Sequence, residues 1–213
     1  KRKRRDKRID EVSERYRLSD LHRQRAGTLS GGQKQRLALG AVTLHEPELL
    51  LLDEPTSAVD PQSRRDFWDS LFELADQGTT ILVSTHFMDE AERCHRLAIL
   101  DRGALVSEGV PNRLARDIDA IVLDVETPEP RRCRAVIEAE PWIKAVTQLG
   151  TRLHVMADID ARDPAERLQS LLGGAGVTAS VGLTPANLED VFVAATRFNG
   201  LDATRVGQRG ESH

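Results

Sequence analysis

Apolar side chains recur along this chain in two rhythms. Between Gln33 and His45, the residues Leu37, Ala38, Ala41, Val42 and Leu44 return at helical spacing and predict an amphipathic helix, which Pro47 stops. The next apolar run, Leu49 to Leu52, is unbroken and closed by Asp53 and Glu54, the pattern of a strand buried on both faces of a parallel sheet. Asp60-Pro61 supplies an N-cap and a proline suited to the first helical turn. The helix predicted from there to Gln77 carries Phe67, Leu71, Phe72, Leu74 and Ala75 inward, and Gly78 ends it. A second buried strand over 79–84, a short helix from Met88 to Cys94, a strand over 97–100 and, beyond Gly103, another over 104–107 follow. Such alternation predicts right-handed crossovers and a mostly parallel sheet. Ahead of it, a polar helix is expected up to about Gln24, broken at Ala26-Gly27-Thr28.

The pattern changes near residue 117. Strands over 121–125, 143–149, 153–156 and 177–181 alternate with helices over 131–139 and 164–172, and a last helix covers 187–196. The order βαββαβ is that of a ferredoxin-like unit. The expected organisation is an α/β part over 1–116, an accessory α+β domain over 117–198, and a tail over 199–213 that lacks apolar periodicity and is read as disordered.

With 39% hydrophobic and 30% charged residues in 213, the chain has the composition of a globular protein. It has no apolar run of the roughly 18 residues needed to cross a bilayer. The net charge of -4 argues against nucleic acid as a partner. Seven of the first eight residues are basic, which reads as the solvated start of a helix continuing through Ile9 and Val12. Cys94 and Cys133 show no metal-ligand spacing and fit a reduced, cytoplasmic state. His154, Cys133 and Trp142 stand apart from other chemistry and read as structural. The chain begins at Lys1 with no apolar signal segment, so a fragment or processed chain is expected.

Candidate chemistry is concentrated between Leu29 and His86. In LSGGQKQR (29–36), Ser30 stands where a helix begins, and Gly31 and Gly32 let backbone amides come close to a phosphate. An ordinary serine cap after a glycine turn would look the same locally. In LLLLDEPTSAVD (49–60), Asp53 and Glu54 end a strand at the sheet edge where ligands of open α/β sheets bind. An Asp there can hold Mg²⁺ through water, and the adjacent Glu can orient or deprotonate an attacking water. Asp60 caps the following helix whatever else it does. His86 follows the second strand at the same edge, where a neutral imidazole can bond a phosphate oxygen and the attacking water.

Taken together, LSGGQ, LLLLDEP, SAVD and a strand ending in His resemble the second half of an ABC ATPase, over roughly Ile9 to Leu114. The segment STHFMDEAERCHRLAIL (84–100) and the ending PANLEDVFVAAT (185–196) are similar to drug-efflux and polysaccharide-type exporters. The resemblance implies an incomplete P-loop NTPase domain whose cofactors are ATP and Mg²⁺. It implies that two ATPase domains close head to tail on two nucleotides. Ser30, Gly31, Gly32 and Gln33 would then contact an ATP held by the opposite domain, Asp53 would support Mg²⁺, Glu54 would act on water, His86 would sense the γ-phosphate and Asp60 would couple the two sites. The implied partners are that second ATPase domain and a transmembrane permease subunit. The permease is the only link to a membrane, and the location is the cytoplasm, on the inner face of the cell membrane. GxxxxGK[ST] does not occur in these residues, which sets an expectation of no ATP hydrolysis by this polypeptide alone. A non-transport ABC ATPase and a catalytically silent interaction module are the other readings.

Overall fold

The computed structural model describes residues 2–197, and the expected tail over 199–213 lies outside them. The chain divides into two compact units, Lys1–Phe87 and Met88–His213.

In the first unit, α1 (Arg2–Arg15) is followed by two short 3₁₀ turns, Ser19–Leu21 and Ala26–Thr28, then by α2 (Gly31–Thr43), β1 (Leu49–Asp53), α3 (Pro61–Asp76) and β2 (Thr80–Ser84). The first helix ends earlier than the sequence suggested. Arg17 takes a left-handed backbone, φ 53°, which a right-handed helix cannot continue through. The buried stripe of α2 also differs from the expected one. Gly32, Leu39, Gly40 and Thr43 are buried, whereas Leu37 and Val42 are 38% and 39% exposed. The reason is close packing on α1: a Cβ at Gly40 would stand 3.2 Å from Val12 and Leu18 and 3.3 Å from Tyr16. A small residue, not the most apolar one, therefore marks the contact face. Arg8 adds a polar clamp by donating to the carbonyls of Thr43 (3.4 Å) and Leu44 (3.2 Å), which the end of α2 leaves without helical partners.

Strands β1 and β2 pair in parallel, in register from Leu49 opposite Thr80 to Asp53 opposite Ser84. The crossover helix α3 buries Phe67, Trp68, Leu71 and Leu74. The apolar run of β1 was expected to be buried on both faces. Here Leu50 is buried, but Leu49, Leu51 and, on β2, Leu82 are 54%, 65% and 65% exposed.

In the second unit, a short helix α4 (Met88–Ala91) precedes β3 (Leu97–Asp101) and β4 (Ala104–Gly109). These strands form an antiparallel two-stranded sheet of their own, a departure from the mostly parallel sheet expected across them. Their two-residue connection dictates this, since Arg102 and Gly103 both have positive φ, 49° and 81°, as a tight hairpin turn requires. The chain continues through α5 (Pro111–Arg116), β5 (Ile121–Glu126), α6 (Pro130–Ile137), β6 (Ile143–Leu149), β7 (Arg152–Ala157), α7 (Pro164–Gly174), β8 (Ser180–Leu183) and α8 (Leu188–Arg197). The four-stranded sheet runs β6-β7-β5-β8 with every neighbour antiparallel, the ferredoxin-like arrangement its element order implied.

One face of this sheet packs Leu123, Val125, Leu153 and Val155 against Cys133 and Ile137 of α6 and Leu168 and Leu172 of α7. Its other face, with Val122, Ala145 and Met156, meets Val193 and Ala194 of α8. The same helix turns Val191 and Ala195 toward Ile99, Val106 and Leu114. In this way α8 joins the β3/β4 hairpin and α5 to the sheet, and position 116/117 falls inside the second unit. The residues read as structural are so placed. Cys133 is fully buried, which pushes its thiol pKa up. Trp142 packs in the core and donates to Glu140 at 2.7 Å. His154 Nδ1 lies 3.3 Å from the buried Asp190 carboxylate, which also accepts from the Asn187 amide at the start of α8.

Truncating Leu153 to Ala, in the sealed core, is expected to cost about 2–5 kcal/mol in urea unfolding. Leu51→Ser is expected to change stability by no more than about 0.5 kcal/mol, as for exposed positions generally, and to reduce binding of a hydrophobic dye.

Candidate functional site

The residues singled out in the sequence all lie in the first unit, and their contacts fall into two groups. The first is built on the start of α2. Ser30 has extended backbone and caps the helix, its Oγ accepting from the Gln33 amide at 3.3 Å while the Gln33 side chain accepts from the Ser30 amide at 2.9 Å. This reciprocal capping box fixes both side chains at the helix entry. The glycines have a role that the phosphate argument did not foresee. A Cβ on Gly31 would stand 2.7 Å from the Ala58 carbonyl oxygen, and one on Gly32 would stand 2.7 Å from Ser63 Cβ and 3.7 Å from Asp60 Oδ2. The absent side chains let the SAVD segment and the start of α3 lie directly against Gly31 and Gly32.

Asp60 caps α3, its Oδ1 accepting from the amides of Gln62 (3.2 Å) and Ser63 (3.0 Å). The Ser63 hydroxyl and amide, with the Gln62 amide, hold its carboxyl below its ordinary value of 3.8, against a smaller opposing effect of desolvation. The cap and the glycine packing meet at Ser63, so Ser30–Gln33 and Asp60 form one local assembly.

The second group stands at the C-terminal end of the β1/β2 pair. The register puts Asp53 beside Ser84, whose hydroxyl donates to Asp53 Oδ1. Glu54 begins the turn out of β1 with a left-handed backbone, φ 41°, a conformation that costs a residue with a Cβ about 1–2 kcal/mol. Its amide donates to the carbonyl (3.1 Å) and the hydroxyl (3.0 Å) of Ser84. Its carboxylate Oε1 lies 3.2 Å from His86 Nδ1, both side chains being half-exposed. The His86 ring rests on Phe87 at 4.1 Å between centroids, and the Arg64 guanidinium covers Phe87 at 4.0 Å.

This geometry refines the chemistry of the histidine. With Glu54 ionised, Nδ1 carries the proton that faces it, so the neutral ring has only an acceptor at Nε2. Donation from His86 to an anionic oxygen therefore requires either the doubly protonated ring or a break with Glu54. Ser84, Ser63, Phe87 and Arg64 were missed by sequence reasoning. Ser84 and Ser63 are short polar residues without a motif of their own, and only strand register and glycine packing give them a place.

Asp53 and Glu54 fit a Mg²⁺·ATP centre in a limited sense. Among the described residues no group of three or more His, Cys, Asp or Glu is arranged to hold a metal ion. One carboxylate at a strand end suits Mg²⁺ that keeps its waters and takes its other ligands from phosphates.

A carboxyl depressed in the folded state contributes stability above its ordinary value and loses it as pH falls through the lower, folded value. The thermal stability of the wild type should therefore exceed that of Asp60→Asn at pH 6, and the gap should close as pH falls below 3.8.

The profile of the family described as ABC transporter matches residues 1–57. The Nod factor export ATP-binding protein I of Burkholderia thailandensis is 40% identical over 174 residues, 81% of this chain and 55% of that protein. The probable multidrug ABC transporter ATP-binding protein YbhF of Escherichia coli (strain K12) is 41% identical over 133 residues, 62% of this chain and 22% of that protein. A solved nucleotide-free ATP-binding cassette from an ABC transporter is 27% identical, with a TM-score of 0.48 over 50% of this chain and 43% of that one. The chain thus spans about half the length of the curated relatives it matches first. On the family match and these relatives, the chain belongs to the ABC transporter family, in its ATP-binding part.

Proposed function

We propose that this chain is part of the ATP-hydrolysing subunit of an ABC exporter, which couples hydrolysis to efflux of a drug, lipid or polysaccharide-class substrate. The observation that carries the proposal is the meeting of Asp53, Glu54 and His86 at one end of a parallel strand pair, with Glu54 Oε1 and His86 Nδ1 3.2 Å apart. Export is supported by the relatives, one a Nod factor export ATP-binding protein and one a probable multidrug ABC transporter ATP-binding protein.

In this reading residues 1–116 belong to the ATPase part, and 117–198 to an accessory ferredoxin-like domain. Bound Mg²⁺ and ATP supply the reactive γ-phosphate and neutralise charge on its oxygens. Asp53 supports the ion, and Glu54 orients the attacking water and takes its proton. His86 holds Glu54 in place and reads the γ-phosphate through its other ring nitrogen when protonated. At the start of α2, where Ser30 and Gln33 fix the helix entry by capping each other, the amides of Gly31 and Gly32 favour an anion presented by a second ATPase domain. Asp60, packed through Ser63 behind the glycines, passes the state of that contact to the loop after Glu54. A transmembrane permease is the second partner, and the subunit sits in the cytoplasm on the inner face of the cell membrane. Nucleotide-driven closure biases the permease between two states.

Because GxxxxGK[ST] does not occur in its 213 residues, this polypeptide by itself should show no micromolar ATP binding in titration calorimetry, and such binding would overturn that expectation. In the assembled transporter, Glu54→Gln should lower kcat for ATP hydrolysis by about 10²- to 10⁴-fold, the range for loss of a general base, while nucleotide still binds. Hydrolysis at the wild-type rate in that variant would remove Glu54 from its proposed role.

A further inference from the structure

The two acids at the end of β1 are joined by a residue that the proposed mechanism does not use. Ser84 closes β2 directly across from Asp53, and its hydroxyl donates to Asp53 Oδ1. Ser84 Oγ also accepts from the Glu54 amide at 3.0 Å, and the Ser84 carbonyl accepts from that amide at 3.1 Å. A serine hydroxyl has one proton to give. Here it goes to the carboxylate, and a lone pair faces the amide, so the donor and acceptor capacities of one small group are spent on two successive residues of the other strand.

This arrangement has two consequences. The bond to Oδ1 selects one orientation of the Asp53 carboxylate and leaves Oδ2 for water or metal. The bonds to the Glu54 amide hold the residue with φ 41° in its left-handed turn, the conformation from which its carboxylate reaches His86. Ser84 is itself exposed, so its contribution is not one of packing. The next pair along the ladder, Leu52 opposite Val83, offers neither acid a hydrogen bond from its side chains.

We propose that Ser84 is a positioning residue for the acidic pair: its hydroxyl sets the rotamer of Asp53 and, through the Glu54 amide, the turn that aims Glu54 at His86. The inference rests on reading Asp53 and Glu54 as the Mg²⁺-supporting and water-activating acids. Threonine retains the hydroxyl and suits a strand end, whereas alanine removes it.

The 213-residue chain serves for the direct test. Three-bond couplings across Cα–Cβ of Asp53, read by NMR, should report one rotamer in the wild type, averaging in Ser84→Ala, and one rotamer again in Ser84→Thr. Hydrogen exchange at the Glu54 amide should speed up about fivefold in the alanine variant, as expected for the net loss of one hydrogen bond, and return in the threonine variant. In the assembled transporter, Ser84→Ala should lower kcat about 10- to 100-fold, with KM for ATP little changed and rescue by threonine. A single Asp53 rotamer persisting in Ser84→Ala, or failure of threonine to restore what alanine removes, overturns the proposal. If instead Ser84→Ala frees Asp53 but Asp53→Asn leaves hydrolysis intact, the reading of the acids falls and the positioning geometry stands without it.

Discussion

The register of one parallel strand pair sets the geometry of the candidate centre. With Leu49 opposite Thr80, Asp53 falls opposite Ser84, and the residues just beyond each strand, Glu54 and His86, come within 3.2 Å. A slip of one residue would turn every side chain to the other face and separate the acids from Ser84. The register is held from both ends: the Thr80 amide donates to the Glu48 carbonyl at 2.8 Å, and the Glu54 amide donates to the Ser84 carbonyl at 3.1 Å. The crossover helix α3, begun by Asp60 and Pro61 and anchored by Phe67, Trp68, Leu71 and Leu74, is what brings the two strands side by side. Chemistry at the sheet edge is in this sense a product of the ladder.

The second constraint is the absence of side chains at Gly31 and Gly32. These glycines let the chain between β1 and α3 pack onto the entry of α2, so the serine cap and the aspartate cap meet around Ser63. Two helix starts, each capped by its own side chain, are thereby held in one local frame. The two groups of residues are linked along the chain by the short stretch from Glu54 to Asp60, which gives a change at one group a short path to the other.

Much of this was legible in the sequence, for identifiable reasons. The strand before Asp53, the cap at Asp60, the proline start of α3 and the βαββαβ order of the later sheet rest on strong local signals, and the structure places them within a few residues of expectation. The failures come from tertiary context or from short-range backbone geometry that carries no periodic signal. The buried stripe of α2 was assigned to Leu37 and Val42 because they are apolar, yet close approach of α1 selected Gly40 and Thr43. Helix α5 is too short to show a period, and the hairpin of β3 and β4 needed the positive φ of Arg102 and Gly103 to be recognised as antiparallel. At the site, the motif residues were readable as a set, but Ser84 and Ser63 were not, because their importance comes from register and from a neighbour's missing Cβ. The helix α8 posed a similar problem: its sequence showed a helix, and only the fold revealed that it serves two different packing partners.

In the proposed function, Ser30–Gln33 and Asp53–His86 form two parts of nucleotide sites that act together. Hydrogen–deuterium exchange of the assembled transporter, with and without ATP and Mg²⁺, tests it most directly. The account predicts that amides of Gly31 to Gln33 and of the stretch from Glu54 to Asp60 slow together when nucleotide is present. Slowing confined to the second stretch, with Gly31 to Gln33 unchanged, would contradict it.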